Sequence, residues 1–185
     1  MNFADKQGYD FRGRDESQKV YFDRFCKWLE TQSHIKEVIP ASEHEDRKLG
    51  IDVKALTHNN GIKNFQVKTD LNAYKTHNIV FEIISQAYLD INKQSQIGWG
   101  FLLQNTDYVV HIIIDKDKDA DYTLGFKTKT YYEWIIKNAG NFQTHCMAAK
   151  NVNKQTNEIK YVTLGILVPI YKIYKIKLWK SLLPC

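Results

Sequence analysis

The feature that most constrains this chain is a change of period early in its sequence. From Ser17 to Gln32 (SQKVYFDRFCKWLETQ) the apolar residues Val20, Tyr21, Phe25, Trp28 and Leu29 recur every three or four positions, and beyond His34 that spacing gives way to alternation. The first spacing gathers side chains on one face of a helix, the second on one face of a strand. It predicts an amphipathic helix over 17–32, with Asp15 or Ser17 able to cap it. Strands follow at His34–Ile39, Gly50–Leu56, Ile62–Thr69 and Asn78–Ser85, the last rich in branched residues. Asn59, Asn60 and Gly61 supply turn chemistry between the second and third, so Ile51–Phe65 reads as strand, tight turn, strand.

Further along, Gln86–Gln96 is compatible with a short helix, and Gly98-Trp99-Gly100 reads as a structural turn. Tyr108–Ile114 (YVVHIII) is a continuous apolar run, the pattern of a strand buried on both faces. Thr130–Asn138 reads as a helix and Tyr161–Ile170 as a late strand. This order describes a mixed α/β domain with a central sheet. The chain has 185 residues and neither a repeat nor a Gly/Ser or Pro linker, so a single domain over 1–185 is expected. No apolar stretch approaches the length of a membrane span and the first residues lack a signal-type apolar core, which predicts a cytoplasmic protein with no membrane partner. Cys26, Cys146 and Cys185 form no CxxC pair, so neither a disulfide framework nor a cysteine zinc site is expected.

Charge is unevenly spread. The net charge is +5, yet residues 1–150 are balanced, and residues 151–185 carry six lysines against the single acid Glu158. In the segment Ile170–Lys180 (IYKIYKIKLWK) lysines interleave with aromatic and aliphatic residues. One reading buries Ile173, Ile176 and Trp179 and leaves the lysines in water. The other sets Lys172, Lys175, Lys177 and Lys180 on phosphates with Tyr171, Tyr174 or Trp179 alongside. The charged run Glu43–Lys48 reads as a solvated turn or a DNA-contacting loop, His58 as turn-associated, and His111 as a packed core histidine.

The chemistry concentrates at Asp52, Gln66 and Lys68. Residues i and i+2 of a strand share a face, so Gln66 and Lys68 project together while Phe65 and Val67 face the opposite layer. Pairing across the hairpin sets Asp52 within reach of both. An oxygen-rich pocket beside a lysine suits a hard divalent cation and a water nucleophile: Asp52, the Gln66 side-chain oxygen and the Val67 carbonyl would ligate Mg²⁺, and Lys68 would orient the water. The bare triplet of acid or Gln, any residue, Lys occurs four times here, at 46–48, 52–54, 66–68 and 158–160. The third lies in an expected interior strand, where an unpaired lysine is costly, and follows the Ile-Asp of another strand by fourteen positions, with an acid-bearing helix before both.

With GID ending at Asp52 and FQVK ending at Lys68, the chain resembles the PD-(D/E)XK nuclease superfamily over roughly Asp15–Asp115. The resemblance implies a restriction-endonuclease-like core in a mixed α/β fold. That core is a central mixed sheet of four to five strands flanked by helices (α-β-β-β-β-α-β), here with a basic C-terminal extension over about 150–185. It implies metal binding by Asp52 and Gln66, water activation by Lys68, and an additional acid from the first helix, with Glu16 as first choice and Asp23 or Glu30 as the others. Two positions depart from the family pattern: Ile51 stands where proline is common, and Gln66 replaces the second carboxylate, leaving one less negative charge for the metal. Glu82, among the branched residues of VFEII, compensates if it faces the same pocket; on an edge strand it would face solvent. The expectation is a Mg²⁺-dependent deoxyribonuclease, with Mn²⁺ able to substitute, acting on DNA and forming a homodimer if the substrate is duplex. Its rival is a catalytically weak or inactive module of the same fold that binds nucleic acid or a protein partner.

Overall fold

The structure is a computed structural model, and it describes residues 16–70, 73–88, 92–115, 120–147 and 161–183. Helix α1 spans Glu16–Glu30. Its apolar stripe, Phe22, Phe25, Cys26 and Leu29, is buried against Val53, Ala55, Phe65 and Val67. Where the stripe ends, the helix ends. The Thr31 hydroxyl and the Gln32 amide both donate to the Trp28 carbonyl (2.7 and 3.0 Å), satisfying a backbone acceptor that the last turn leaves open.

The strands that follow are β1 (Ile35–Pro40), β2 (Val53–Thr57) and β3 (Ile62–Asp70). β2 and β3 pair antiparallel across the expected turn, with Val53 opposite Phe65 and Lys54 opposite Asn64. Thr57 closes that turn, its hydroxyl donating to the Gly61 carbonyl at 2.8 Å, and Asn60 takes the left-handed conformation at φ 61°. β2 starts later than the alternation suggests because Gly50 sits at φ 68° and ends a helical turn over Glu45–Leu49. That turn is the charged run of the sequence. It is held by Ser42, whose N–H and hydroxyl both donate to Glu45, and by the Glu45–Lys54 ion pair at 2.8 Å.

After helix α2 (Ala73–Thr76) come β4 (Asn78–Tyr88), β5 (Gln96–Ile97) and helix α3 (Trp99–Leu102). Then follow β6 (Tyr108–Asp115), β7 (Ala120–Lys127), helix α4 (Thr128–Asn138), β8 (Gln143–Met147), β9 (Tyr161–Pro169), helix α5 (Ile170–Ile173) and β10 (Trp179–Leu182). A central mixed sheet of six strands runs β1-β2-β3-β6-β7-β10, parallel only between β3 and β6, and a second antiparallel sheet runs β5-β4-β9-β8.

Two cores result. One lies between α1 and the central sheet, the other between the opposite face of that sheet and the layer of α4 and the second sheet. β6 feeds both. Val110, Ile112 and Ile114 point to the first core and Val109 and Ile113 to the second, which is why its sequence is apolar throughout.

The sequence expectation needs revision in two places. The central sheet has six strands rather than four or five, and β4 leaves it to pair with β9. The segment beginning at Gln86 is no helix: β4 continues to Tyr88, opposite Tyr161, and the chain returns as β5, because the ladder to β9 overrides the local helix preference. The C-terminal segment divides between α5 and β10, and its apolar residues pack as the burial reading expects. Ile173 is buried in the second core, Ile176 packs against it, and Trp179 crosses to the first core, where it stacks on Trp28 (6.2 Å) and meets Tyr108 edge-on (5.6 Å). Among the described residues no helix is long and apolar enough to cross a membrane.

Candidate active site

Asp52 ends the loop that enters β2, directly beside Gln66 in the register of the hairpin. It is fully buried. Its Oδ2 accepts hydrogen bonds from the Gln66 side-chain amide and from the Val67 backbone N–H (2.6 Å), and the Lys68 ammonium stands 3.9 Å away. Hydrogen bonds from an N–H to a carboxylate and a nearby cation offset the cost of burying that charge. The structure thus brings together Asp52, Gln66 and Lys68. Phe65 and Val67 face the first core, as alternation requires, and Val67 contributes its N–H to Asp52.

Gln66 is buried, and its Oε1 is a buried oxygen with no hydrogen-bond partner. An orphan acceptor in a polar cluster is costly unless something fills its place. Gly50 makes room for it: a Cβ on Gly50 would lie 2.9 Å from Gln66 Oε1 and 2.7 Å from Leu102 Cβ. The alternation of the sequence sets Gly50 at the head of a strand, with no sign of this role.

Lys68 has a second neighbourhood, on the other sheet. Its Nζ lies 5.4 Å over the ring of Trp99, and its charge acts on Glu82. Burial raises the Glu82 carboxyl above its usual range, and the Lys68 charge and a 3.5 Å bond from the Trp99 backbone N–H pull it partly back. Glu82 lies on β4, which is flanked by β5 and β9, so it is half-buried and turned to Lys68 rather than presented on a solvent edge. Trp99 is the contributor that sequence reasoning missed, since the glycines on either side marked only a turn. A Cβ on Gly98 or Gly100 would fall within 2.7 Å of the Glu82 backbone, so both glycines let this turn close over β4.

His111 adjoins Lys68 on β6. Burial, and secondarily the Lys68 charge, push its imidazole down to about 3, so it is neutral, with Nε2 2.9 Å from the Tyr131 hydroxyl. This is the packed histidine expected from the apolar run. His58 is exposed in the hairpin turn.

On α1, Asp23 is buried and Glu30 exposed, and the side chain of Glu16 lies outside the described residues. Burial raises the Cys26 thiol well above its ordinary value, and the charges of Asp23, Glu30 and Asp52 raise it further, so the buried acid of α1 and Asp52 flank one thiol electrostatically. The C-terminal lysines do not reach Asp52. β10 lies three strands from β3, and Lys172, Lys177 and Lys180 sit instead over aromatic rings, of Phe142 (5.8 Å), Tyr174 (3.7 Å) and Tyr122 (4.5 Å) respectively. Lys175 is exposed.

Among the described residues no group of three or more His, Cys, Asp or Glu side chains is placed to hold a metal ion. The oxygen donors of this cluster are one carboxylate, one amide and backbone carbonyls. That set fits Mg²⁺, which binds through one or two carboxylates and keeps several waters. Within that set, Gln66 Oε1 is the buried oxygen with no hydrogen-bond partner.

No protein-family model matches the chain, and no curated protein matches it. Among solved structures it is similar to a bacterial homing endonuclease, at 17% identity and a TM-score of 0.34, over 52% of this chain and 58% of that one. The chain therefore spans less than two thirds of that relative's length.

Proposed function

We propose that this protein is a Mg²⁺-dependent deoxyribonuclease with a restriction-endonuclease-like core, hydrolysing phosphodiester bonds by a PD-(D/E)XK mechanism. The observation that carries this reading is the convergence of Asp52, Gln66 and Lys68 on one buried patch, with Gln66 Oε1 unpartnered. Asp52, the Gln66 amide oxygen and the Val67 carbonyl would hold the cation. Mg²⁺, and Mn²⁺ in its place, supplies Lewis acidity to the scissile phosphate and to the attacking water.

The chain's own residues do the rest. The Lys68 ammonium donates a hydrogen bond to the water oxygen and holds the water in line with the phosphorus. Glu82, its carboxyl raised by burial and drawn partly back by the Lys68 charge, steers that ammonium. Turning the Gln66 amide over would break its N–H bond to Asp52 and set its oxygen beside that carboxylate, a cost that a bound cation would offset. Glu16 remains the proposed acid from α1, with Asp23, which is buried, and Glu30, which is exposed, as the alternatives. Cutting both strands of a duplex takes two such sites, hence a homodimer for that substrate.

One observation favours a second reading. The Asp52 carboxylate is already met by an amide, an N–H and an ammonium, so the cluster can be internally neutral, as in an inactive nuclease-fold module that binds nucleic acid or a protein. A gel assay separates the two. Plasmid, linear duplex and single-stranded DNA are incubated with EDTA, Mg²⁺ or Mn²⁺ and wild-type, Asp52→Asn or Lys68→Ala protein. Metal-dependent loss of substrate confined to the wild type supports the nuclease; intact DNA in every lane, with all three proteins folded, supports the module.

A further inference from the structure

A groove of about 420 Å³ opens where α2, β7 and α5 meet, lined by Tyr74, His77, Tyr122, Ile170, Tyr171 and Tyr174. Five of these six carry flat rings, and none is acidic. Tyr171 is 69% exposed and Tyr174 37%, unusual exposure for residues of this size. Cations stand over the same rings: Lys177 Nζ is 3.7 Å from the Tyr174 ring, and Lys180 Nζ is 4.5 Å from that of Tyr122 and 6.0 Å from that of Tyr174. The described stretch 161–183 that carries Tyr171 and Tyr174 holds four lysines and no acid.

We propose that this groove binds an unpaired stretch of nucleic acid, its bases stacked on Tyr171 and Tyr174 and its phosphates neutralised by Lys177 and Lys180. Aromatic faces beside ammonium groups match both halves of a nucleotide, and the bases of a duplex already stack on one another and offer no free face. An anionic partner is favoured by the charge. A second copy docked about a two-fold axis would set these lysines against themselves.

The position connects the groove with the candidate active site. On the central sheet Lys68, His111 and Leu124 form one cross-strand row, and Asp70, Ile113 and Tyr122 form the row two residues further along the same face. Two residues along a strand and two strands across place Tyr122 on the order of 12 Å from Lys68, backbone to backbone. Asp70, the carboxylate of that row, is not among the residues lining the groove. As a statement about which nucleic acid the site receives, the inference rests on the nuclease reading; as a statement about binding, it stands without cleavage.

The test is fluorescence anisotropy in EDTA, with a labelled oligothymidylate and a duplex of the same length, on wild type and on Tyr171→Ala, Tyr174→Ala, Tyr174→Phe and Lys180→Ala. Stacking on one ring is worth enough that each alanine variant should bind the single strand about 5- to 100-fold more weakly, with Tyr174→Phe close to wild type. Lys180→Ala should flatten the dependence of log K on log salt by about 0.7. Oligothymidylate affinity unchanged in both tyrosine-to-alanine variants would overturn the proposal, as would a duplex affinity that falls as far as that for the single strand. Tyr171 is so exposed that its replacement leaves the fold intact. If the tyrosine variants lose binding while no metal yields cleavage, the groove stands and the nuclease reading falls. Cleavage by wild type with undiminished binding by the variants is the reverse result.

Discussion

Gln66 donates its side-chain amide to Asp52 Oδ2 and keeps its own oxygen buried with no hydrogen-bond partner. A carboxylate at position 66 would put two buried negative charges side by side, and a divalent cation would reconcile them. Gln66→Glu should therefore melt below wild type in EDTA, by about 1–3 kcal/mol of stability, and rise further than wild type when Mg²⁺ is added. Thermal melts with and without metal measure this. Equal responses to Mg²⁺ in the two proteins would remove position 66 from the ligand set.

In the proposed nuclease Trp99 would act only through Lys68, whose ammonium lies over its ring, so it is a positioning residue. Trp99→Leu removes a cation–π contact worth about 0.5–2 kcal/mol and should lower kcat by roughly 2- to 30-fold. The Mg²⁺ concentration at half-maximal rate should stay put, and Trp99→Phe should recover most of the loss. A shift in the metal requirement with kcat unchanged would contradict this role.

Gly50 is left-handed at φ 68°, and its missing Cβ is the space that Leu102 and Gln66 occupy. Gly50→Ala combines backbone strain with overpacking and should cost about 2–4 kcal/mol in chemical denaturation. An alanine protein as stable as wild type would refute this account of the turn.

His111 predicts a pH dependence. Its imidazole is held down to about 3 in the folded protein by burial and by Lys68, against an ordinary value of 6.5, so below 6.5 the unfolded chain takes up a proton that the folded chain refuses. The stability of the fold is whole above that value and falls as the pH drops toward 3, with this one group contributing a slope of about 1.4 kcal/mol per pH unit. His111→Gln should show a shallower loss between pH 6.5 and 4 in denaturant titrations. Parallel curves for the two proteins would argue against a neutral buried imidazole.

What the sequence made legible was local. The α1 stripe, the hairpin that aligns Asp52 with Gln66 and Lys68, and the doubly buried β6 each announce themselves by a period or a turn within a few residues. What it concealed depends on partners far along the chain. β7 carries Gly125, where a Cβ would lie 2.0 Å from the Trp179 indole, so that glycine is the socket for a ring far along the chain. β10 carried too few residues to alternate, and the departure of β4 from the central sheet is decided by β9. Glu82 and Trp99 reach Lys68 only because two sheets are packed face to face, a relationship with no signature in spacing.

That split between sheets also sets an order of assembly. The β2–β3 hairpin joins neighbours in sequence and can close early, presenting Asp52, Gln66 and Lys68 on an open ribbon. The β3–β6 and β4–β9 ladders join segments far apart and close late, and only then do Glu82 and Trp99 arrive. A half-folded chain thus carries the lysine without the wall that holds it.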